Sequence, residues 1–338
     1  MQPSARTAEQ ARIRLNVEEA RALAEGALQA IGYAPEEARI VADHVIDAAL
    51  CGYEYSGLAK ILNIPEHAHF AMPRQPMRVV RETDVSIAFD GGNNVGMLAL
   101  HYAAEAAAKK AASNGIALVS VANAWMSGRS AYFVEMIARH DLVAIHTASS
   151  GPMVAPPGGL KAVIGTNPVA FAVPGADGPI VFDMGTSAFM MTELMLRERL
   201  GELLPEGVAI GEDGAPTRDP TAARRGALLP FGGYKGFGLA LMVHLLGLAA
   251  GCGLADPTDH GYLLIAFRPD LLGPPDRFKE LVAAFIARVK ATPRQPGLTE
   301  IRIPSERAFR ARAEARRDGI EIDASVFRAL EALRERSR

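Results

Sequence analysis

The sequence predicts a mixed α/β protein of the α+β type that is not a Rossmann fold. Three observations predict it. Helical periodicity occupies both chain ends, over 16–32 and 35–49 at the start and in two stretches at the finish. The strand-like segments between them are mostly too close together, or joined by turns too short, for a regular βαβ array. No G-x-G-x-x-G follows a first strand, which argues against a dinucleotide-binding Rossmann unit.

Taken in order, residues 1 to about 14 are a loose polar lead-in. Asn16 is a helix N-cap with Glu19 three residues on, and Gly32 a stop. Pro35 suits a first helical position, and the second helix runs to about Ala49. Pro65, Pro73 and Pro76 punctuate the next stretch. VSIAFDGG (85–92) alternates and breaks at its glycine pair, as a strand and turn would. An alanine-rich helix follows from Leu98 to Ser113. Buried strands follow at 115–123 and 142–150, separated by a helix near 130–138. VAFAVPG (169–175) and PIVFDMG (179–185) are close enough for a hairpin. A polar insert with Gly, Pro and Asp turn signals spans about 196–225. A late strand (261–273), a helix (275–291), a closing strand IRIPSER (301–307) and two last helices, the second from about Ala324, complete the chain.

A chain of 338 residues has room for two or three domains and a large core. Its formal net charge of −2 gives no general pull toward nucleic acid or anionic membrane. Cys51 and Cys252 make no disulfide framework and fit a reducing cytoplasm. The N-terminus lacks a signal-type apolar core, and the longest apolar stretch, around 239–248, is too short to span a bilayer. His67 and His69 flank an alanine without a nearby third ligand, so no metal is expected.

The richest stretch is LPFGGYKGFGLALMVHLLG (229–247). Gly232, Gly233, Gly236 and Gly238 leave the backbone unshielded. The following helix directs its N–H groups and dipole toward Lys235. This is an anion cradle for a cofactor phosphate or substrate carboxylate; the plainer alternative is a tight turn with a solvated lysine. Gly236 follows Lys235 where a P-loop needs Ser or Thr, which excludes a Walker motif.

Several segments in order resemble one family: DGG (90–92), VAPPGG (154–159), IGTNPVAFAVP (164–174), VFDMGTS (181–187), GEDGAPTRDP (211–220), LPFGGYKGFGLALMV (229–243) and IRIPSER (301–307). Together they are similar to the type 2 malate/L-lactate dehydrogenases. That family also includes ureidoglycolate dehydrogenase, 2,3-diketogulonate reductase, sulfolactate dehydrogenase and Δ1-piperideine-2-carboxylate reductase. The resemblance implies NAD or NADP held on a largely antiparallel, non-Rossmann sheet, a small-molecule substrate, and a homodimer with its active site near the subunit interface. It implies a helical domain from 1–75 and 305–338, a cofactor-binding sheet domain from 76–195 and 226–304, and a small insert at 196–225. Cofactor positions carry over to Asp183, Met184, Gly185, Thr186, Ser187, Lys235, Gly236, Pro304, Ser305 and Glu306. Ser305 stands where the family usually has glycine. Thr166 matches a substrate contact.

The departures concern catalysis. The family's D-S-H-G with an arginine three residues on reads Tyr55, Ser56, Gly57 and Lys60 here, with Glu54 before them. Its N-S-x-H-x-G reads Asn123 to Gly128, with Met126 in the histidine position. The asparagine of its T-N-S strand is Ala148. Hydride transfer to a ketone needs a proton donor, and neither Ser56 nor Met126 replaces histidine directly. Lys60 keeps a charge for a substrate carboxylate but loses the arginine fork. Three residues could compensate: the Tyr55 hydroxyl, His146, and Arg129 as a second positive contact. Their plainer readings are domain-boundary packing, a satisfied core histidine and a solvated helix start. Two functions follow. One is an oxidoreductase for a 2-hydroxy/2-keto acid or a cyclic imino acid, whose protonated iminium needs less help from histidine. The other is an inactive dinucleotide-binding homologue.

Overall fold

The computed structural model describes residues 11–253 and 259–335. Its elements in chain order are β1 (Arg12–Leu15), α1 (Val17–Ala30), α2 (Pro35–Leu50), α3 (Ala59–Asn63), β2 (Arg78–Glu82), β3 (Ser86–Val95), α4 (Gly96–Asn114), β4 (Ile116–Trp125), α5 (Ser130–Ala138), β5 (Val143–Ala148), β6 (Val169–Val173) and β7 (Ile180–Met184). They continue with α6 (Met191–Leu200), β8 (Ala209–Ile210), α7 (Pro220–Arg225), β9 (Ala227–Leu228), α8 (Tyr234–Ala249), β10 (Tyr262–Phe267), α9 (Pro275–Lys290), α10 (Glu306–Asp318), β11 (Ile320–Asp323) and α11 (Ala324–Glu335). The chain divides into two compact units, 1–71 with 307–338, and 72–306.

The first unit is helical. Asn16 and Glu19 close a capping box at α1, with the Glu19 N–H to Asn16 Oδ1 at 2.9 Å and the Asn16 N–H to Glu19 Oε2 at 2.8 Å. Pro35 opens α2. Leu23, Ala24, Leu28, Val41, Val45, Ile61 and Leu330 are buried in this unit. Of the expected lead-in, residues 1–10 lie outside the described residues. Arg12–Leu15 is not loose but forms β1, antiparallel to β11 with Arg12 opposite Asp323. Alternate apolar residues suit this ribbon, yet its partner lies about 300 residues away, out of reach of local pattern.

The second unit holds a seven-stranded open sheet in the order β2-β3-β4-β10-β5-β6-β7. The β3–β4 pair is parallel and the others are antiparallel. This is a mostly antiparallel sheet, as a non-Rossmann protein requires. Helices α4 and α5 pack on one face, over Val119, Val121, Ala144, Ala170 and Ala172. On the other face Leu118, Ile265, Ile145, Phe171 and Phe182 are cross-strand neighbours in one row. Leu118, Phe171 and Phe182 in that row are exposed.

Several local expectations change. The glycine pair does not end β3. Gly91 runs against the neighbouring strand, where a Cβ would lie 2.8 Å from the Asn123 carbonyl oxygen, and the strand continues to Val95 through an irregular register. No strand forms over 301–307: the Ile303 N–H turns to Glu306 Oε2 at 3.0 Å, and α10 begins at Glu306. In the insert region, Leu194, Leu204, Val208, Ala209 and Ala223 share a core with Val154, Ile164, Phe189, Leu228 and Ala240.

Candidate functional site

Three of the singled-out segments of the second unit are knotted together. The Thr166 carbonyl accepts both the Thr186 amide at 2.8 Å and the Thr186 hydroxyl at 3.0 Å. The Thr186 carbonyl accepts the Phe231 N–H at 3.1 Å, and the Phe231 carbonyl accepts the Gly236 N–H at 3.0 Å. Asn167 braces the knot, taking the Ser150 N–H at 3.1 Å and giving its amide to the Ala240 carbonyl at 2.9 Å. Ser187 closes its own turn through the Phe189 carbonyl at 2.7 Å. Thr166, Thr186 and Ser187 are buried, while Met184 and Gly185 are half-buried.

The glycine loop is built differently from an open cradle. A Cβ on Gly236 would lie 2.3 Å from the Phe231 carbonyl oxygen and 2.8 Å from that of Thr186, so glycine there serves backbone packing. The Lys235, Gly236 and Phe237 N–H groups are engaged by the carbonyls of Gly232, Phe231 and Gly233. What faces outward is the exposed Lys235 side chain beside Gly232 and Gly233. A Cβ on Gly233 would meet nothing within 4 Å.

Asp183, one residue before the end of β7, accepts the Ala131 N–H at 2.7 Å and caps α5 from that strand. Burial pushes its carboxyl above the usual range, opposed by the Ala131 N–H, the Arg129 charge and the Ser130 N–H. Arg129 is buried at the N-cap position of α5. The loop before it holds Met126 with φ 57° and Gly128 with φ 78°. Left-handed backbone at a methionine costs on the order of 1 kcal/mol, and such residues cluster where geometry serves function.

His146 is fully buried in β5. Its Nδ1 lies 3.1 Å from the Leu263 carbonyl, and burial pulls the ring down to about 4. It stands edge-on to Phe133 and stacks on Tyr262, with centroids 5.8 and 6.4 Å away. An uncharged ring without solvent access is a core histidine. Tyr262 was not singled out in the sequence; its hydroxyl is buried near Ser127, and burial pushes it well above the usual phenol range. An aromatic inside an apolar strand carries no local sign of that.

At the end of the second unit Pro304 is exposed, and Ser305 has φ 65°, the left-handed region that suits the family's glycine. Glu306 pairs with Lys290 and caps its own helix through Ile303.

In the first unit Tyr55 and Ser56 lie on a 3-10 turn over Glu54–Ser56. Tyr55 is half-buried and edge-on to Tyr53, with centroids 6.1 Å apart. Ser56 is buried. Gly57 allows the turn to approach α2, since a Cβ there would lie 2.9 Å from the Ala49 Cβ. Lys60 on α3 is 3 % exposed, and burial lowers its ammonium to about 8. That isolation is invisible in a motif. His67 is held at about 4 by burial, His69 and Lys60.

Residues 15–331 match the malate/L-lactate dehydrogenase family. An L-sulfolactate dehydrogenase of Methanothermobacter thermautotrophicus is 32 % identical, covering 94 % of this chain and 95 % of its own. A Δ1-pyrroline-2-carboxylate reductase of Ancylobacter novellus is 33 % identical, with 95 % and 97 % covered. The crystal structure of a dehydrogenase from Sinorhizobium meliloti superposes with a TM-score of 0.87 at 31 % identity, covering 96 % of this chain and 99 % of that one. The chain belongs to the malate/L-lactate dehydrogenase family and is an oxidoreductase.

Proposed function

We propose that this member of the malate/L-lactate dehydrogenase family is an NAD(P)-dependent reductase of a small carboxylate-bearing substrate, with a cyclic 2-imino acid preferred over a 2-keto acid. One observation carries the preference. The two positions where the family places histidine hold Ser56 and Met126, and His146 is sealed in the core at about 4. Reducing a ketone leaves an alkoxide that must be protonated. A cyclic iminium carries its proton on nitrogen already. The reductase from Ancylobacter novellus supports this choice of substrate class.

The residues fit a nicotinamide cofactor. Lys235 offers an exposed ammonium beside glycines with open space above them, suited to a phosphate. The 183–187 turn and Pro304, Ser305 and Glu306 are the further cofactor positions. When bound, the cofactor supplies the hydride. In the second unit, Thr166, fixed through its bonds to Thr186, and the Arg129 charge are the candidate holds on the substrate carboxylate; in the first unit the candidate is Lys60. The protein works as a homodimer. Exposed Leu118, Phe171 and Phe182 on one face of the sheet support this, as does α8, which exposes Leu241, Met242 and Leu245. Neither Cys51 nor Cys252 is in a disulfide, which fits a reducing cytoplasm.

The test is NADH and NADPH oxidation with Δ1-pyrroline-2-carboxylate, Δ1-piperideine-2-carboxylate, pyruvate and oxaloacetate. Turnover concentrated on the imines is the expected result. Absence of turnover across the whole panel, with cofactor bound, would sink the reading.

A further inference from the structure

Asn167 closes a ring of hydrogen bonds through the candidate cofactor segments of the second unit. The Thr166 carbonyl accepts the Thr186 N–H at 2.8 Å, the Thr186 carbonyl accepts the Phe231 N–H at 3.1 Å, and the Phe231 carbonyl accepts the Gly236 N–H at 3.0 Å. Gly236 lies in the first turn of α8, and the Ala240 carbonyl of the same helix accepts the Asn167 amide at 2.9 Å. Asn167 follows Thr166 in the chain, so the ring returns to its start. The links through Thr186, Phe231 and Gly236 run from backbone N–H to carbonyl and survive a change of side chain. The link through Asn167 is a side chain and does not.

Asparagine suits this place for separate reasons. The backbone there has φ 30°, on the left-handed side that asparagine tolerates better than most residues. The side chain is fully buried, and both ends of its amide are used, since Oδ1 accepts the Ser150 N–H at 3.1 Å just past β5. Gly165 makes the room, because a Cβ there would lie 2.0 Å from Ser150 Oγ and 2.6 Å from Asn167 Oδ1. The Ala240 carbonyl is inside α8, where the helix supplies its own donor, so the Asn167 amide rescues no orphan. It is a tie between the Thr166 loop and the helix. Ala240 lies about a turn and a half past Lys235, so whatever holds Ala240 also holds the start of α8.

We infer that Asn167 is a positioning residue, fixing Thr166 relative to the Lys235 end of α8 and so setting the span between the substrate-carboxylate contact and the cofactor-phosphate contact. This rests on the NAD(P)-dependent reading above. Without the amide, Thr166 and Lys235 are joined through the Thr186, Phe231 and Gly236 backbone alone. The start of α8 can then shift against the Thr166 loop while the fold persists.

The experiment measures NADPH dissociation constants by isothermal titration for wild type, Asn167→Gly, Asn167→Ala, Lys235→Ala and the Asn167→Gly, Lys235→Ala double variant. Urea unfolding reports the stability of each. Glycine relieves the left-handed backbone and alanine strains it, so the two substitutions at 167 differ in stability but lack the same amide. Both are expected to weaken NADPH binding by the same factor, about tenfold, the scale of coupling within one hydrogen-bond network. On the Lys235→Ala background, Asn167→Gly should change binding by less than about twofold, because the contact it positions is gone. KM for whichever substrate wild type reduces should rise in both variants, through Thr166. Losses at 167 and 235 that simply add, binding that worsens in step with stability from glycine to alanine, or an unchanged KM would make Asn167 a structural brace and overturn the inference while the oxidoreductase stands. A wild type that binds neither NADH nor NADPH would overturn the functional reading as well.

Discussion

The Asp183 carboxylate and the Ala131 N–H meet at 2.7 Å, tying the end of β7 to the first turn of α5. That contact holds the start of a helix whose N-cap is Arg129 and whose preceding loop contains Met126. Losing it frees helix N–H groups and removes a negative charge from the positive end of the helix dipole. Asp183→Ala is expected to cost about 1–2 kcal/mol in urea unfolding, and Asp183→Asn less, because it keeps an acceptor. Equal stability of all three proteins would show that the cap is idle.

Gly236 and Gly233 separate two reasons for glycine in one loop. A Cβ at Gly236 meets backbone at 2.3 Å, so Gly236→Ala is expected to lower stability by roughly 1–3 kcal/mol. Gly233→Ala meets no atom within 4 Å and carries only the strain of φ 62°, ψ −117°, roughly 1–3 kcal/mol. Lys235→Ala should leave the melting temperature unchanged and weaken cofactor binding by isothermal titration. A larger loss for NADPH than for NADH would place the lysine at the 2′-phosphate.

His146 makes the second unit sensitive to acid. Its folded value of about 4 lies below the unfolded value of 6.5, so the unfolded chain takes up the proton first. Stability is complete above about 6.5 and declines as pH falls toward 4, by up to about 3 kcal/mol. His146→Phe should flatten that decline in denaturant titrations at pH 7 and pH 4.5, whatever its effect at neutral pH. An unchanged slope would remove His146 as the cause.

Lys60 has the opposite effect on the alkaline side. Its folded value of about 8 lies below the unfolded 10.5, so the charged form is penalised wherever both states are protonated. The penalty is full below 8 and disappears as pH rises through 10.5. Lys60→Met is therefore expected to gain about 3 kcal/mol at pH 7, and almost nothing near pH 10.5. A protein that becomes more stable and less active together would show why the lysine is kept. No gain at pH 7 would mean that the ammonium is solvated after all.

Phe171 and Phe182 face each other across β6 and β7 with ring centroids 6.4 Å apart, exposed on the bare side of the sheet. Phe171→Lys is expected to shift a dimer toward monomer in sedimentation velocity with little change in circular dichroism. A wild type that sediments as a monomer would retire the homodimer.

Much of the local structure was legible because its causes are local. Asn16 and Glu19 sit three residues apart, and that spacing alone closes the cap of α1. Pro35 begins α2 for an equally local reason. VAFAV and IVFDM are separated by one short turn, so their pairing needed no knowledge of the rest of the chain. The strand expected at 301–307 failed because an extended apolar pattern is a strand only when a neighbour takes its hydrogen bonds. There the Glu306 side chain takes the Ile303 N–H instead.

The sequence by itself determined the family, the capped helices, the mostly antiparallel character of the sheet and the absence of histidine at positions 56 and 126. Tertiary structure alone decided that β10 lies between β4 and β5, that β1 pairs with β11, and that Gly236 is needed by Phe231 and Thr186. It also decided that His146 is sealed in the core and that Lys60 is buried. The physical reason is common to all of these. Caps and periodicity act over a few residues of chain, whereas strand order, close backbone approach and desolvation depend on which distant segments arrive beside a group.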